Sequence, residues 1–365
     1  LTVDELLSAY YDCRRHKRTT INALKFEEKL ESNIMALYRE LLDGSYRPGT
    51  SICFVVTRPR PREVWAADFR DRVVHHLLYN RIANTFHRSF IADSCACIPG
   101  RGTLYGVTRL ESKVRSITEN WSKRAYYLKL DLANFFVSID KNILRDLLAK
   151  KISDPWTMWL AETVLFHDPR QDVRIKGAPE LLALIPPHKR LFNQPAHLGL
   201  PIGNLSSQFF ANVYLNPLDQ FVKHRLGAKH YIRYVDDMVL LHESPWWLND
   251  TAKEIGAFVS SRLALALNQH KTVLQPIERG VDFVGQIIKP WRRVMRRKTL
   301  ANAVGAVSAK GGEDLLRTAN SYLGLLRQSD HSHNDRAQLA RIAIGKGYCV
   351  EGRFRKLIRK RTVAA

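Results

Sequence analysis

Three aspartates could do the most chemistry in this sequence. Asp236 and Asp237 stand side by side inside an apolar stretch, HYIRYVDDMVLL at 230–241, and Asp131 ends an earlier alternating segment, AYYLKLD at 125–131. Ionised acids in such surroundings are costly unless something neutralises them. In a phosphate-handling protein the natural neutraliser is a divalent cation. If the two elements are neighbours in one sheet, Asp131 and Asp236 meet at one edge. Two Mg²⁺ ions roughly 3.5–4 Å apart could then be bridged for phosphoryl transfer, one activating a hydroxyl nucleophile and the other holding a triphosphate and its leaving pyrophosphate. Mg²⁺ fits because it takes few protein carboxylates and leaves positions for phosphate and water; Mn²⁺ is able to substitute. Taken alone, an Asp-Asp pair equally suits a solvated turn, so the elements around it must decide.

Those elements sit in a strongly basic chain. The 57 Lys/Arg against 35 Asp/Glu give a net charge of +22 over 365 residues, which points to a polyanionic partner, most simply a phosphate backbone. At 45% hydrophobic residues the chain can bury a large core and is too ordinary for disorder. No apolar run is long enough to span a membrane, and no signal-peptide core stands near the start. The first residue is Leu1 rather than Met, which leaves room for a missing N-terminus. Cys13, Cys53, Cys95, Cys97 and Cys349 are scattered, and Cys95-Ala-Cys97 lacks the ligand count of a zinc site. Reduced thiols in a cytoplasmic protein are expected.

Periodicity predicts amphipathic helices over 2–17 and 26–42, the latter stopped by Gly44. A strand at 51–57, an extended basic stretch at 58–64 (RPRPREV) and a helix at 68–89 follow. Asp140 is placed to cap a helix at 141–150. The stretch 168–197 reads as irregular, 206–226 as a helix kinked at Pro217, and 230–241 as two short strands around a tight turn. A helix near 250–266 and a strand pair near 272–288 complete the pattern. From Ile288 onward 18 Lys/Arg stand against 5 Asp/Glu, a net +13. The tail RFRKLIRKR at 353–361 suggests a helix lying on RNA or a solvated terminal helix.

The order of motifs is more telling than any one of them. Asp131 is followed by LANFFVSID, then LGLPIGNLSSQFFANVYLNPLDQF at 198–221, YVDD at 234–237, LALNQHKT at 265–272 and GVDFVGQII at 280–288. Over roughly residues 55–330 this series resembles the reverse-transcriptase palm. The resemblance implies an α+β right-hand polymerase with fingers, a palm of antiparallel sheet packed on helices, and a short helical thumb. It implies fingers with an N-terminal helical extension at 1–124, a palm at 125–287 with a fingers-side insertion around 151–197, and a basic thumb at 288–365. By the same resemblance Asp131, Asp236 and Asp237 hold the metals, and Lys271 protonates or neutralises the leaving pyrophosphate. Phe136 blocks a 2′-hydroxyl, with Phe135 the more natural core residue. Gly203 and Gln208 line the nucleotide pocket, and Phe283 and Gly285 grip the primer end. Arg60 and Arg62 hold the triphosphate, a task that suits bidentate guanidinium groups. Arg101 joins them in a block, SCACIPGRGT, that departs from the family pattern in having Ile98 where a basic residue is common. Arg292, Arg293, Arg296, Arg297 and Lys298 contact the duplex backbone.

The Ser-Gln ending of IGNLSSQ at 202–208 and the phrase NSYLGLLR at 320–327 resemble the enzymes of diversity-generating retroelements. Those copy a template RNA into cDNA with errors at adenines, beside a small basic accessory protein or another element-encoded subunit. Antiphage-defence and CRISPR-associated reverse transcriptases share much of the pattern. Template RNA, a DNA primer and dNTPs are the implied partners in every case, with no membrane. A maturase-like RNA-binding scaffold is the non-enzymatic alternative, which intact acids disfavour. An RNA-templated RNA polymerase is a third reading, which Phe136 disfavours.

Overall fold

The computed structural model describes residues 1–15, 17–58 and 60–359. The N-terminal helices are α1 (Val3–Arg14), α2 (Ile21–Glu27) and α3 (Leu30–Asp43). Thr2 and Glu5 form a reciprocal capping box on α1, and Gly44 ends α3 in a left-handed conformation at φ +77. The run expected over 26–42 is divided because Lys29 leaves helical geometry. β1 (Ser51–Val56) and β2 (Arg62–Ala66) form an antiparallel pair, and α4 (Phe69–His87) is capped by Asp68. α5 (Thr103–Ile117) fills a stretch that the sequence reading leaves unassigned. β3 (Tyr126–Asp131) and the one-turn α6 (Phe135–Ser138) lead to α7 (Lys141–Ala149), whose Asn142 and Ile143 N–H groups donate to the Asp140 carboxylate.

α8 (Pro155–Phe166) follows. The irregular stretch then contains β4 (Val173–Lys176), which joins β1 in parallel, and the short α9 (Glu180–Ala183). α10 (Leu205–Gln220) carries Pro217 and passes into a π-helical turn over Phe221–Arg225, so the expected kink appears as a widened coil. β5 (Tyr231–Tyr234) and β6 (Asp237–His242) form the expected tight hairpin, and α11 (Pro245–Leu263) comes next. In place of one strand pair near 272–288 there are β7 (Val273–Pro276), β8 (Val281–Phe283) and β9 (Gln286–Lys289), with β10 (Arg292–Met295) after them. The chain closes with α12 (Arg297–Ser308), α13 (Gly312–Leu326), α14 (His333–Gly345), β11 (Tyr348–Glu351) and β12 (Lys356–Arg359).

The tail corrects an expectation. Over its described part it is a turn followed by the strand β12 rather than a helix, because Leu357 is buried in the core of α12–α14 and Asn320 clamps its backbone from both sides. Lys360 and Arg361 lie outside the described residues.

Packing separates two units. One comprises 1–100, 131–229 and 251–271. In it α4 packs on α1 and α10, and α10 on α7, around Phe69, Phe86, Phe209 and Tyr214. Its sheet, in the order β2-β1-β4, buries Cys53, Trp65 and Leu191. The other comprises 101–130, 230–250 and 272–365. It holds a four-stranded sheet, β5-β6-β3-β7, with α5 against β5 and β6, and a β10-β9-β8 sheet. Its C-terminal helices close on Ala303, Leu315, Leu323 and Leu339. The architecture is the expected α+β class. Cys13, Cys53 and Cys349 are free thiols, and among the described residues no helix is long and apolar enough to cross a membrane.

Candidate active site

The β5–β6 hairpin pairs Tyr234 with Asp237, so Val235 and Asp236 form a two-residue connection. Ile232, Met238, Val239 and Leu240 are fully buried, which anchors the strands and leaves the half-buried acids at their end. Val235 has φ +55, a conformation in which hairpins normally place Gly, Asn or Asp and which a β-branched residue rarely tolerates. Arg233, only 1% exposed, donates from Nη1 to the Val235 carbonyl at 2.9 Å and holds the turn in that shape. The Tyr234 ring meets Phe283 edge-on.

Asp131 ends β3, the neighbour of β6, and is 4% exposed. Its backbone carbonyl accepts from the Asn268 N–H at 2.8 Å, and Lys271 Nζ lies 2.7 Å from both carboxylate oxygens. Lys129, two residues earlier and so on the same face of β3, has its Nζ 3.9 Å from Asp237 Oδ1 and donates to the Asp282 carbonyl. The carboxylates of Asp131 and Asp237 therefore each face an ammonium group. Among the described residues no three His, Cys, Asp or Glu gather into a ready-made metal cage. The donor chemistry nonetheless suits Mg²⁺: the oxygens are hard carboxylate donors, and Asp131 already draws a cation, the Lys271 ammonium, to its carboxylate. Sequence reasoning missed Arg233, Lys129 and Asn268.

Phe135 is buried and Phe136 half-buried, on α6, after Asn134 turns the chain at φ +49. Gly203 is required by a close approach. It has φ +127, and an added Cβ would lie 2.5 Å from the Trp65 carbonyl oxygen. The Trp65 N–H also donates to the Ile202 carbonyl at 2.6 Å, and Asn204 Oδ1 accepts from Ala67 N at 3.2 Å, so this loop is fastened to β2. Gly203→Ala should therefore cost about 1–3 kcal/mol of stability and, if the loop lines the nucleotide pocket, raise the KM for nucleotide; a thermal melt and steady-state kinetics check both. Gln208 is exposed on the first turn of α10.

Beneath the start of α10, Ser206 Oγ lies 3.4 Å from Nδ1 of the buried His75. Burial, with His167 and His76 adding positive charge nearby, pushes the His75 pKa down to about 3, so it is neutral when folded. The unfolded chain binds this proton below the ordinary histidine value of about 6.5 while the folded chain does not. Stability is fully present above that value and should fall by roughly 1.4 kcal/mol per pH unit as pH drops toward 3. Denaturation midpoints across that window should show a shallower slope in His75→Gln.

Arg60 and Arg62 are exposed, while Arg101 lies over the Tyr105 ring at 5.8 Å. Phe283 is fully buried and so supports the Val284–Gly285 turn rather than presenting a surface; both turn residues have positive φ. Arg293 is a further correction. It is buried, ion-paired to Glu111 at 2.9 Å and bonded to the Gln328 carbonyl, which commits it to internal structure. Arg296 pairs with Asp282, whereas Arg292, Arg297 and Lys298 are exposed.

The family model described as reverse transcriptase (RNA-dependent DNA polymerase) matches residues 44–288, well over half of the chain, and the chain belongs to that family. Among solved structures it is similar to telomerase from Candida albicans, determined with a TWJ fragment of telomeric RNA, at 12% identity and a TM-score of 0.46. That similarity covers 88% of this chain and 60% of the telomerase chain, so this chain spans less than two thirds of that relative's length. No curated protein matches the sequence.

Proposed function

We propose that this chain is an RNA-directed DNA polymerase in which Asp131, Asp236 and Asp237 form one two-metal site. The observation that carries the reading is the shared sheet: β3, which ends on Asp131, lies beside β6, which begins on Asp237. When bound, the Mg²⁺ pair supplies charge neutralisation at the attacking and leaving oxygens. Lys271, which contacts Asp131, serves the departing pyrophosphate. Phe136 excludes a 2′-hydroxyl, and Arg60, Arg62 and Arg101 bind triphosphate oxygens. Gly203 and Gln208 line the nucleotide pocket, and Gly285, backed by Phe283, meets the primer end. Exposed Arg297 and Lys298 follow the duplex backbone.

Within the family, the Ser-Gln ending of IGNLSSQ and the phrase NSYLGLLR support the diversity-generating retroelement type. On that reading a small basic accessory protein attends it and cDNA errors concentrate at adenines. Extension of a DNA primer on an RNA template tests the function: dNTPs should be incorporated and ribonucleotides refused, and Phe136→Ala should admit ribonucleotides. Purified protein that binds the hybrid but adds no dNTP under any divalent cation would point to the scaffold reading. Sequencing the cDNA tests the subclass.

A further inference from the structure

The β9–β10 hairpin carries two local costs that the chain's own packing does not offset. Its register pairs Lys289 with Arg292, so Pro290 and Trp291 form the two-residue connection. Proline presets the first turn position. Trp291 then takes φ +61, where glycine is the unstrained residue, and its side chain is 67% exposed. Lys289 and Arg292 stand directly opposite on the same face of the ladder, an unfavourable pairing of like charges. No carboxylate among the described residues pairs with either. The neighbouring cations differ: Arg293 is held by Glu111 and Arg296 by Asp282. The base of the hairpin is fixed, because Arg293 also bonds the Gln328 carbonyl and its N–H donates to Asp330. A rigid tip thus displays a large aromatic face between two free cations.

We infer that this tip is a contact for single-stranded nucleic acid, in which the Trp291 indole stacks on an unpaired base while Lys289 and Arg292 meet the flanking phosphates. An indole offers every base a stacking face without reading its identity, and the paired cations suit a backbone whose charges repeat on either side of that base. The inference rests on the proposed function only in taking nucleic acid as the partner, and it adds a site outside the catalytic residues.

The full chain is titrated by anisotropy with a labelled mixed-sequence oligonucleotide and with an abasic strand of the same length. Trp291→Gly suits the left-handed turn and should melt at or above the wild-type temperature. It should bind the base-containing strand about 5- to 100-fold more weakly, with abasic binding and the slope of log K against log salt unchanged. Trp291→Phe should recover much of the loss. Lys289→Ala with Arg292→Ala should instead weaken both strands and make the salt slope shallower by roughly one to two. Trp291→Gly binding the base-containing strand like wild type would overturn the inference, as would equal losses on both strands, which would mark a general surface or a protein-facing patch. Wild-type primer extension, measured in parallel, reports on the polymerase reading separately.

Discussion

Replacing Asp236 and Asp237 together with alanine is expected to abolish primer extension while leaving binding of a primer–template hybrid nearly unchanged. The two acids end a hairpin whose strands are buried, so the backbone should persist without them. Stabilisation of developing charge by a metal pair is worth several kcal/mol, so a rate loss of about a thousandfold or more is expected. Hybrid binding draws on the basic surface of a chain with a net charge of +22 and should stay within about twofold. Single-turnover extension with binding measured on the same preparation tests this. Extension that survives at a tenth of the wild-type rate would remove these residues from the chemistry.

The second large effect is expected at Arg233. Its guanidinium sits in the strand just before the acids and fastens the carbonyl of a valine held at positive φ. Arg233→Lys keeps the charge but loses the planar fork, and a hydrogen bond from a charged donor is worth about 1.5–3 kcal/mol. Val235 should then relax and carry Asp236 with it, lowering kcat roughly 10- to 100-fold with the Kd for primer–template unchanged. Val235→Gly, which removes the strain directly, should fold at least as stably yet extend primers more slowly. A wild-type kcat in Arg233→Lys would show that the turn holds its shape without this bond.

The acids were legible because local context marks them: Asp131 ends an alternating run and Asp236–Asp237 interrupt an apolar one. Caps and stops such as Asp140 and Gly44 were equally local. What escaped depends on distant partners. β4 is exposed along most of its length and owes its place to a parallel pairing with β1 more than a hundred residues earlier, so neither burial nor period announces it. The C-terminal strand was hidden by interleaved basic and apolar residues that suit either period, until Asn320 and the α12–α14 core chose one. Arg233 had a usable signal that went unread, since a cation inside YIRYV is as anomalous as the acids beside it. Lys129 had one too, at the two-residue spacing that shares a strand face with Asp131. The burial of Arg293 had none, because its partner Glu111 stands 182 residues away in the chain.

Mn²⁺ electron paramagnetic resonance on the chain bound to primer–template and a non-hydrolysable dNTP tests the central claim most directly. Two ions per chain with a spin-coupled spectrum are expected, as from a pair roughly 3.5–4 Å apart, and Asp131→Asn and Asp237→Asn should each abolish the coupling. A single uncoupled ion, or a coupled pair indifferent to Asp131, would contradict the account.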